Sequence, residues 1–311
     1  MKSNKKNQHL IIGDLILDRF IYGHVERISP EAPSLVLDAD HKLDLLGGAY
    51  NVVSHLCSLG DNCHIISAVG NDFESLMSSF DAKFQKSCTQ HFYTENNRLT
   101  SIKTRLVSIY KLVHLLRFDS ESKHDINKGT EDLIYERCCG LINKVNTIIL
   151  VDYRKGVVTA RLARMIIELA IKNNKPVFVD TKCDDLTKFQ GASLIKPNKH
   201  EFEKILLRHS NSNSIEKSCF NLLNNLNIGC IVKTAGDDGI YAYTKFGEDY
   251  HIRGVKVEVK ELSGAGDSVL AVLSYCYAAN YSFLDALKCA NKIASKFVSS
   301  GAGYTAKIKH L

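Results

Sequence analysis

A glycine turn near the C-terminus is the feature that most restricts how this chain can fold. The run Ser263-Gly264-Ala265-Gly266-Asp267 follows an alternating apolar stretch at 255–262 and precedes an apolar run at 269–279. This order predicts a strand, a tight turn and the start of a helix. Glycine at two positions of the turn permits a sharp bend and lets a ligand approach the main chain closely.

The start of the predicted helix is suited to binding an anion, because its first N–H groups lack partners within the helix and lie at the positive end of its dipole. The N–H groups of Gly264, Ala265 and Gly266 can hold phosphoryl oxygens while Asp267 accepts a proton from a substrate hydroxyl. An aspartate at a helix start is also a common capping residue. The turn alone leaves both interpretations open.

Composition restricts the class of protein. The 311 residues suffice for one α/β domain or two smaller domains, and 45% hydrophobic with 24% charged residues is typical of globular proteins. The net charge of +6 comes from lysines and arginines spread along the chain, which favours small anionic ligands over nucleic acid. The ten cysteines show neither C-x-x-C nor zinc-site spacing, so we expect reduced thiols in a cytoplasmic protein. The first apolar run, Leu10-Ile11-Ile12, is too short for a signal peptide or a membrane span.

Strand and helix patterns alternate along most of the chain. Strands are predicted at 10–13, 63–69, 147–151, 177–179, 193–195 and 230–233. Helices are predicted at 49–59, 157–173, 199–207 and 214–226, with two more over 267–299. Such repeated units predict a mostly parallel sheet with helices on both faces. The segments at about 20–46 and 99–118 carry only strand patterns, so we expect a small β lid on a single domain of residues 1–311.

Two polar clusters stand at predicted helix starts. Gly47 and Gly48 precede a helix that carries Asn51, whose amide both donates and accepts hydrogen bonds, as sugar hydroxyls require. Asn198 and Glu201 lie three residues apart, where they can hold Mg²⁺ through water or form a capping box of their own helix. The two interpretations of the second cluster are compatible with each other.

Charged residues also follow predicted strands. Asp14 ends the first strand, and Asp152 with Lys155, and Asp180 with Lys182, end two later ones. In parallel sheets, ligands bind in the crevice at the carboxyl ends of the strands. Solvated loop charge is the alternative for each of these positions.

Taken together, these motifs resemble the ribokinase, or pfkB, family of carbohydrate kinases over nearly the whole chain. The resemblance rests on Gly47-Gly48-Ala49 with Asn51, on Asn198 with Glu201, and on Gly264-Ala265-Gly266-Asp267, in this order. Within the family, three stretches are similar to the kinases of D-glycero-β-D-manno-heptose 7-phosphate: Ile-Gly-Asp-Leu-Ile-Leu-Asp-Arg-Phe at 12–20, Arg-Ile-Ser-Pro-Glu-Ala-Pro at 27–33, and Val-Asp-Tyr with Lys-Gly at 151–156.

The resemblance implies ATP-dependent phosphorylation of the anomeric O1 of heptose 7-phosphate, a step in ADP-heptose and lipopolysaccharide core biosynthesis. It implies that Asp267 is the base and that residues 264–266 form an anion hole. The residues implied to bind the substrate are Asp14, Gly47, Gly48, Asn51, Lys103, Arg105, Asp152 and Lys155, with Lys103, Arg105 and, more weakly, Lys155 and Arg117 assigned to the 7-phosphate. The residues implied to bind ATP are Asn198, Glu201, Lys233, Gly236 and Asn291, the first two beside Mg²⁺.

The resemblance further implies a homodimer formed through the lid. Several departures from the family matter, among them the following two. Glu261 replaces an aspartate, and its extra methylene displaces the carboxylate by about 1.5 Å, which argues against a monovalent-cation site beside the turn. Val113-His114 replaces a pair of glutamines in the lid.

No H-x-G-H nucleotidyltransferase motif occurs, so we expect a separate protein to adenylylate the product. The alternatives are a kinase for another sugar or sugar phosphate, and a degenerate relative that binds sugar or nucleotide without turnover.

Overall fold

The computed structural model describes residues 6–73, 86–209, 214–260, 264–300 and 304–310. The strands in these segments are β1 Gln8–Gly13, β2 Leu15–Ile28, β3 Leu35–Gly48, β4 Asn62–Gly70, β5 Cys88–Glu95, β6 Ser101–Ser108, β7 Val113–Ser120, β8 Thr147–Asp152, β9 Val177–Thr181, β10 Leu194–Ile195, β11 Cys230–Thr234, β12 Ile240–Thr244 and β13 Asp249–Ile252. The helices are α1 Ala49–Ser58, α2 Lys128–Leu141, α3 Ala160–Lys172, α4 Lys199–His209, α5 Ile215–Asn225, α6 Ala265–Ala278 and α7 Phe283–Ser300.

The larger sheet has the strand order β13-β12-β11-β10-β9-β8-β1-β4-β5 within the described residues. All neighbours from β5 to β11 pair in parallel, and β12 and β13 add an antiparallel edge. Helices cover both faces, so the central strands are apolar along their length, and all six residues of β8 are buried. The prediction of a mostly parallel sheet covered on both sides is therefore confirmed.

Alternation along the strands divides the core into two layers. Ile148 and Leu150 of β8 pack with buried residues of α2 to α5. Ile149 and Val151 point to the other face and pack with α1, α6 and α7. Successive side chains of a strand point to opposite faces, so one short strand contributes to both layers.

The smaller sheet, with the order β3-β2-β6-β7, is the β lid that the sequence predicted. The expected broken strand pieces over 20–46 are instead two 14-residue strands, paired antiparallel on either side of a turn that contains both prolines. The strand pattern over 99–118 corresponds to two strands, β6 and β7, which pair antiparallel with each other. Lys111 and Leu112 between them have left-handed φ angles of 60° and 51°, which reverse the chain.

The strand predicted at 255–262 does not form where the structure describes it, since residues 253–259 have no strand partner. This segment is attached to α7 instead. Asn291 Nδ2 donates to the carbonyl of Arg253 at 2.8 Å, and the N–H of Lys260 donates to the carbonyl of Val298 at 2.9 Å. Residues 261–263, including Glu261 and Ser263, lie outside the described residues.

None of the helices in the described segments is long and apolar enough to cross a membrane. The ten cysteines, all of which lie in those segments, are free thiols.

Candidate active site

A cavity of about 640 Å³ lies between the carboxyl ends of the parallel strands and the lid. The lid contributes Ile16, Asp18 and Lys103, and the main sheet contributes residues at or after the carboxyl ends of β8 to β11. The start of α6 and one side of α7 complete the wall. The small sheet thus covers one side of the crevice at the strand ends.

Asp267 lies in the first turn of α6 and faces this cavity, with 2% of its surface exposed. Tyr153 Oη donates to Oδ1 at 2.7 Å, and Asn51 Nδ2 donates to Oδ2 at 2.9 Å. Burial and the nearby Asp180 carboxylate raise the pKa of Asp267 from 3.8 to about 6, against the opposing effects of these two hydrogen bonds and of Lys196. A carboxylate with such a pKa is a stronger base than an exposed aspartate.

The glycine turn has the geometry that an anion site needs. Gly264 precedes α6 with a φ of 98°, a left-handed conformation that favours glycine. The N–H groups of residues 265–267 have no partner within the helix. A Cβ on Gly266 would lie 2.8 Å from Lys196 Nζ, so only glycine lets this ammonium group pack against the turn.

Lys196 and Asp180 form a buried ion pair beneath the turn, with Nζ and Oδ2 3.1 Å apart. Both side chains line the cavity although 3% or less of each is exposed. The second oxygen of Asp180, Oδ1, has no hydrogen-bond partner among the described residues. A buried carboxylate oxygen without a donor is an unusual feature, because such groups are normally satisfied.

Asn198 and Glu201 form the capping box of α4. The N–H of Asn198 donates to Glu201 Oε2 at 2.8 Å, and the N–H of Glu201 donates to Asn198 Oδ1 at 2.9 Å. Glu201 Oε1 also accepts from Lys182 Nζ. Asn198 and Lys182 line the cavity. Glu201 does not line it, and holds these two residues through its hydrogen bonds.

Asp14, which the sequence assigned to the substrate, does not face the cavity. It is 1% exposed, does not line the main cavity, and its carboxylate accepts N–H groups of Tyr153, Lys155 and Val157 at 2.7, 3.0 and 3.1 Å. Burial and the neighbouring Asp152 raise the pKa of Asp14 to about 6. Asp14 therefore shapes the 153–157 loop.

The carboxylate that reaches the cavity from the lid is Asp18, which sequence reasoning did not select. It lies on β2, where alternation places it on the same face as Ile16, and both line the cavity. Asp18 Oδ1 accepts from Arg105 Nη1 at 2.7 Å. The signal was present in the Leu-Asp-Arg that follows Asp14 in the same motif.

The remaining predicted substrate residues divide into two groups. Gly48, Asn51 and Lys103 line the cavity. The others do not: Gly47 packs against Asp18, Arg105 pairs with Asp18 and lies over the Phe20 ring, Lys155 pairs with Glu121, Asp152 binds Thr181 and Lys188, and Arg117 pairs with Asp119. Of the four cations assigned to the 7-phosphate, Lys103 is the one that lines the cavity.

The opposite end of the cavity has an apolar wall. Gly236 and Asn291, which were assigned to the nucleotide from the sequence, line it together with Val255, Val257, Val259, Ala294 and Val298. Lys233 lies outside it, with its ammonium group 4.0 Å from the centre of the Tyr241 ring. An apolar slot with a few polar groups is suited to a flat heterocycle.

Several cavity residues were not assigned a role from the sequence. Tyr153, Asp180, Lys182 and Lys196 all line the cavity; Asp180 lies near the end of β9, and the other three directly follow strands of the main sheet. Position at or after the end of a strand was the available signal for each. Lys199 and His200 at the start of α4 add two exposed basic groups to the same rim.

Comparison with known proteins assigns the chain to a family. The pfkB family carbohydrate kinase model matches residues 7–309. The bifunctional protein HldE of Bradyrhizobium diazoefficiens is 35% identical over 93% of this chain and 59% of its own length, and HldE of Geobacter metallireducens is 36% identical over 92% and 58%. The chain thus spans about three fifths of the length of these relatives.

Two solved structures share the fold at low sequence identity. Phosphofructokinase-2 from Escherichia coli in complex with fructose-6-phosphate has a TM-score of 0.76 at 16% identity, covering 98% of this chain and 97% of that one. Ribokinase of Arabidopsis thaliana complexed with ribose and ATP has a TM-score of 0.70 at 12% identity, with the same coverage. With a family match over almost its full length, this chain belongs to the pfkB family of carbohydrate kinases and is a sugar kinase.

Proposed function

We propose that this kinase transfers the γ-phosphoryl group of ATP to O1 of D-glycero-D-manno-heptose 7-phosphate, giving the 1,7-bisphosphate used in ADP-heptose and lipopolysaccharide core synthesis. The observation that carries the proposal is the meeting of Asp267, the amides of the glycine turn and Lys103 around one cavity. The choice of sugar rests on the N-terminal motifs and on the relatives named HldE.

In the proposed reaction, O1 of the sugar forms a bond to the γ-phosphorus as the bond from that phosphorus to the bridging oxygen breaks. ADP leaves with the bridging oxygen, and the hydroxyl proton passes to Asp267. The N–H groups at the start of α6 and the Lys196 ammonium group stabilise the negative charge of the transferring group. Because the proton leaves late in a loose transition state, orientation of the hydroxyl contributes more than the strength of the base.

The other substrate contacts follow from the two ends of the cavity. Gly48, Asn51 and Asp18 face the sugar, and Lys103 faces its 7-phosphate. Adenine would lie against the valines of 255–259, with Gly236 and Asn291 beside the nucleotide.

Magnesium fits this site only in an indirect role. No group of three or more His, Cys, Asp or Glu in the described segments could hold a metal ion. Asn198 Oδ1 and Glu201 Oε2 are engaged in the capping box, and Glu201 Oε1 accepts from Lys182, so these residues would hold Mg²⁺ through its water shell. The unpartnered Asp180 Oδ1 provides a further acceptor for that shell. When bound to the ATP phosphates, Mg²⁺ offsets their charge.

We assign two functions to the lid. The lid consists of segments 20–46 and 99–118 of one kinase domain. Its first function is to exclude water from the phosphoryl transfer. Its edge strand β7 exposes Leu116 and Phe118 to 57% and 50%, an apolar surface that suits contact with the lid of a second copy. A homodimer working in the cytoplasm, where the ten free thiols would stay reduced, is part of the same proposal.

The test is coupled ADP release with heptose 7-phosphate, fructose 6-phosphate, glucose 6-phosphate and unphosphorylated heptose, with NMR of the product. Heptose 7-phosphate should give the highest kcat/KM and a phosphate coupled to the anomeric proton. Asp267→Asn should lose about 10²- to 10⁴-fold in kcat while keeping the fold, as expected for removal of a general base. Preference for a hexose phosphate would indicate a different sugar kinase, and binding without ADP release would indicate a protein that does not turn over.

A further inference from the structure

Tyr153 connects the proposed base to the loop that follows β8. Its hydroxyl donates to Asp267 Oδ1 at 2.7 Å, and its ring lines the cavity. Its main-chain N–H donates to the Asp14 carboxylate, also at 2.7 Å. The backbone of Tyr153 is thus held by one buried aspartate while its side chain holds another.

Burial and the surrounding carboxylates keep the phenol of Tyr153 protonated. Burial and the carboxylates of Asp267, Asp180 and Glu201 raise its pKa well above the usual value. Two lysines from different elements lie near the ring, with the Nζ atoms of Lys103 and Lys182 at 5.7 and 5.3 Å from its centre. The hydroxyl is therefore a donor at every pH at which the enzyme would work.

Asp267 is held by two donors, one on each oxygen. Asn51 of α1 donates to Oδ2 and Tyr153 to Oδ1, so rotation of the carboxylate about its bond to Cβ would break both hydrogen bonds. Each oxygen keeps a lone pair that can accept a proton. This arrangement fixes the direction in which the carboxylate can accept a proton from a substrate.

We propose that Tyr153 is a positioning residue, whose hydroxyl orients the Asp267 carboxylate toward the sugar hydroxyl and favours its ionised form. The proposal rests on the proposed role of Asp267 as base. The hydrogen bond from Tyr153 works with Asn51 and Lys196 against burial and the Asp180 carboxylate, which favour the protonated acid. Tyr153 acts through Asp267 and neither gains nor loses a proton in the reaction.

The first experiment is a titration of the free protein that needs no sugar. Carbon-13 NMR of labelled aspartate would follow the Asp267 carboxyl, assigned by its loss in Asp267→Asn. Tyr153→Phe should move the midpoint to higher pH, because a hydrogen bond to the ionised form is removed. Tyr93→Phe, which removes a phenol that donates to the carbonyl of Leu133 outside the cavity, should leave it unchanged. An unshifted midpoint in Tyr153→Phe overturns the proposal.

The second experiment is kinetic. With heptose 7-phosphate, or with the sugar phosphate that the substrate panel selects, Tyr153→Phe should lower kcat by about 10- to 100-fold, as expected for a hydrogen bond to a charged group. Its KM for both substrates should stay within about twofold, and the acidic limb of its kcat profile should move to higher pH. Unchanged kcat, or a loss confined to KM, overturns the positioning role.

The two experiments separate this proposal from the proposed function. If heptose 7-phosphate is not phosphorylated, the choice of sugar fails, while the titration still decides whether Tyr153 controls Asp267. Because Tyr153→Phe keeps the ring and its main-chain bond to Asp14, loss of folding is not expected. Thermal unfolding of the variant would verify this.

Discussion

Lys103 and Arg105 show how two basic residues on one strand can have different tasks. Both belong to β6 and point to the same face, and both were assigned to the 7-phosphate from the sequence. Arg105 is neutralised by Asp18 at 2.7 Å and packs on the Phe20 ring. Lys103 lies at the cavity, where burial lowers its pKa and Asp18 partly restores it. Its ammonium group is therefore the better placed of the two to receive an anionic ligand.

Lys103→Met should raise the KM for the sugar phosphate by about 10- to 100-fold, because a charge-assisted hydrogen bond is lost. The KM for ATP should change by less than about threefold, since the residues proposed to bind the nucleotide are different ones. Steady-state kinetics with each substrate varied in turn would measure both. Lys128→Met, an exposed lysine at the start of α2, is the matched control. Equal increases in both constants would place Lys103 elsewhere in the mechanism.

At the scale of elements, the segment from 253 to 259 is held by α7 and not by a sheet. Asn291 donates to the carbonyl of Arg253 at the start of the segment. The N–H of Lys260, just after the segment, donates to the carbonyl of Val298. The alternating valines still point one way, but toward the cavity. Asn291, assigned to the nucleotide from the sequence, thereby also positions the apolar wall against which a base would stack.

Val257→Gln should raise the KM for ATP several-fold, because the amide must be desolvated against the adenine without a hydrogen-bond partner. The KM for the sugar phosphate should be unaffected. Glu258→Gln places the same side chain one position further along, where the wild-type residue is exposed and does not line the cavity. Kinetics on the two glutamine variants would test the wall, and similar ATP constants would contradict its role.

The stability of the whole molecule is linked to the same buried carboxylate. The pKa of Asp267 is about 6 in the folded protein against an ordinary 3.8, so between these values the folded state binds more protons than the unfolded state. The contribution of Asp267 is then fully present below about pH 4 and is lost as the pH rises through 6. A difference of about two pKa units corresponds to about 3 kcal/mol.

Asp267→Asn should therefore gain stability relative to the wild type by up to about 3 kcal/mol between pH 4.5 and 7.5. Urea unfolding at several pH values would measure the difference. Asp119→Asn is the control, because Arg117 lowers the pKa of Asp119. The difference in unfolding free energy between Asp119→Asn and the wild type should therefore stay constant over this pH range. A flat difference for Asp267→Asn would mean that the carboxylate is not held at a raised pKa.

The sequence by itself determined the features that depend on local pattern. Apolar runs such as 147–151 gave the parallel strands, the Gly264 turn gave the start of α6, and the spacing of Asn198 and Glu201 gave the capping box. Each depends on backbone preferences or on contacts within a few residues, which a single sequence displays.

Only the tertiary structure decided which polar groups face the cavity. Asp14 and Asp18 stand in the same motif, yet one shapes a loop and the other lines the site. Asn51 meets Asp267 across 216 residues of sequence, and Tyr153 meets it across 114. The described part of the predicted 255–262 strand lies against α7, and residues 253–259 pair with no strand. Such pairings arise from how distant elements pack, a relation that local sequence pattern does not encode.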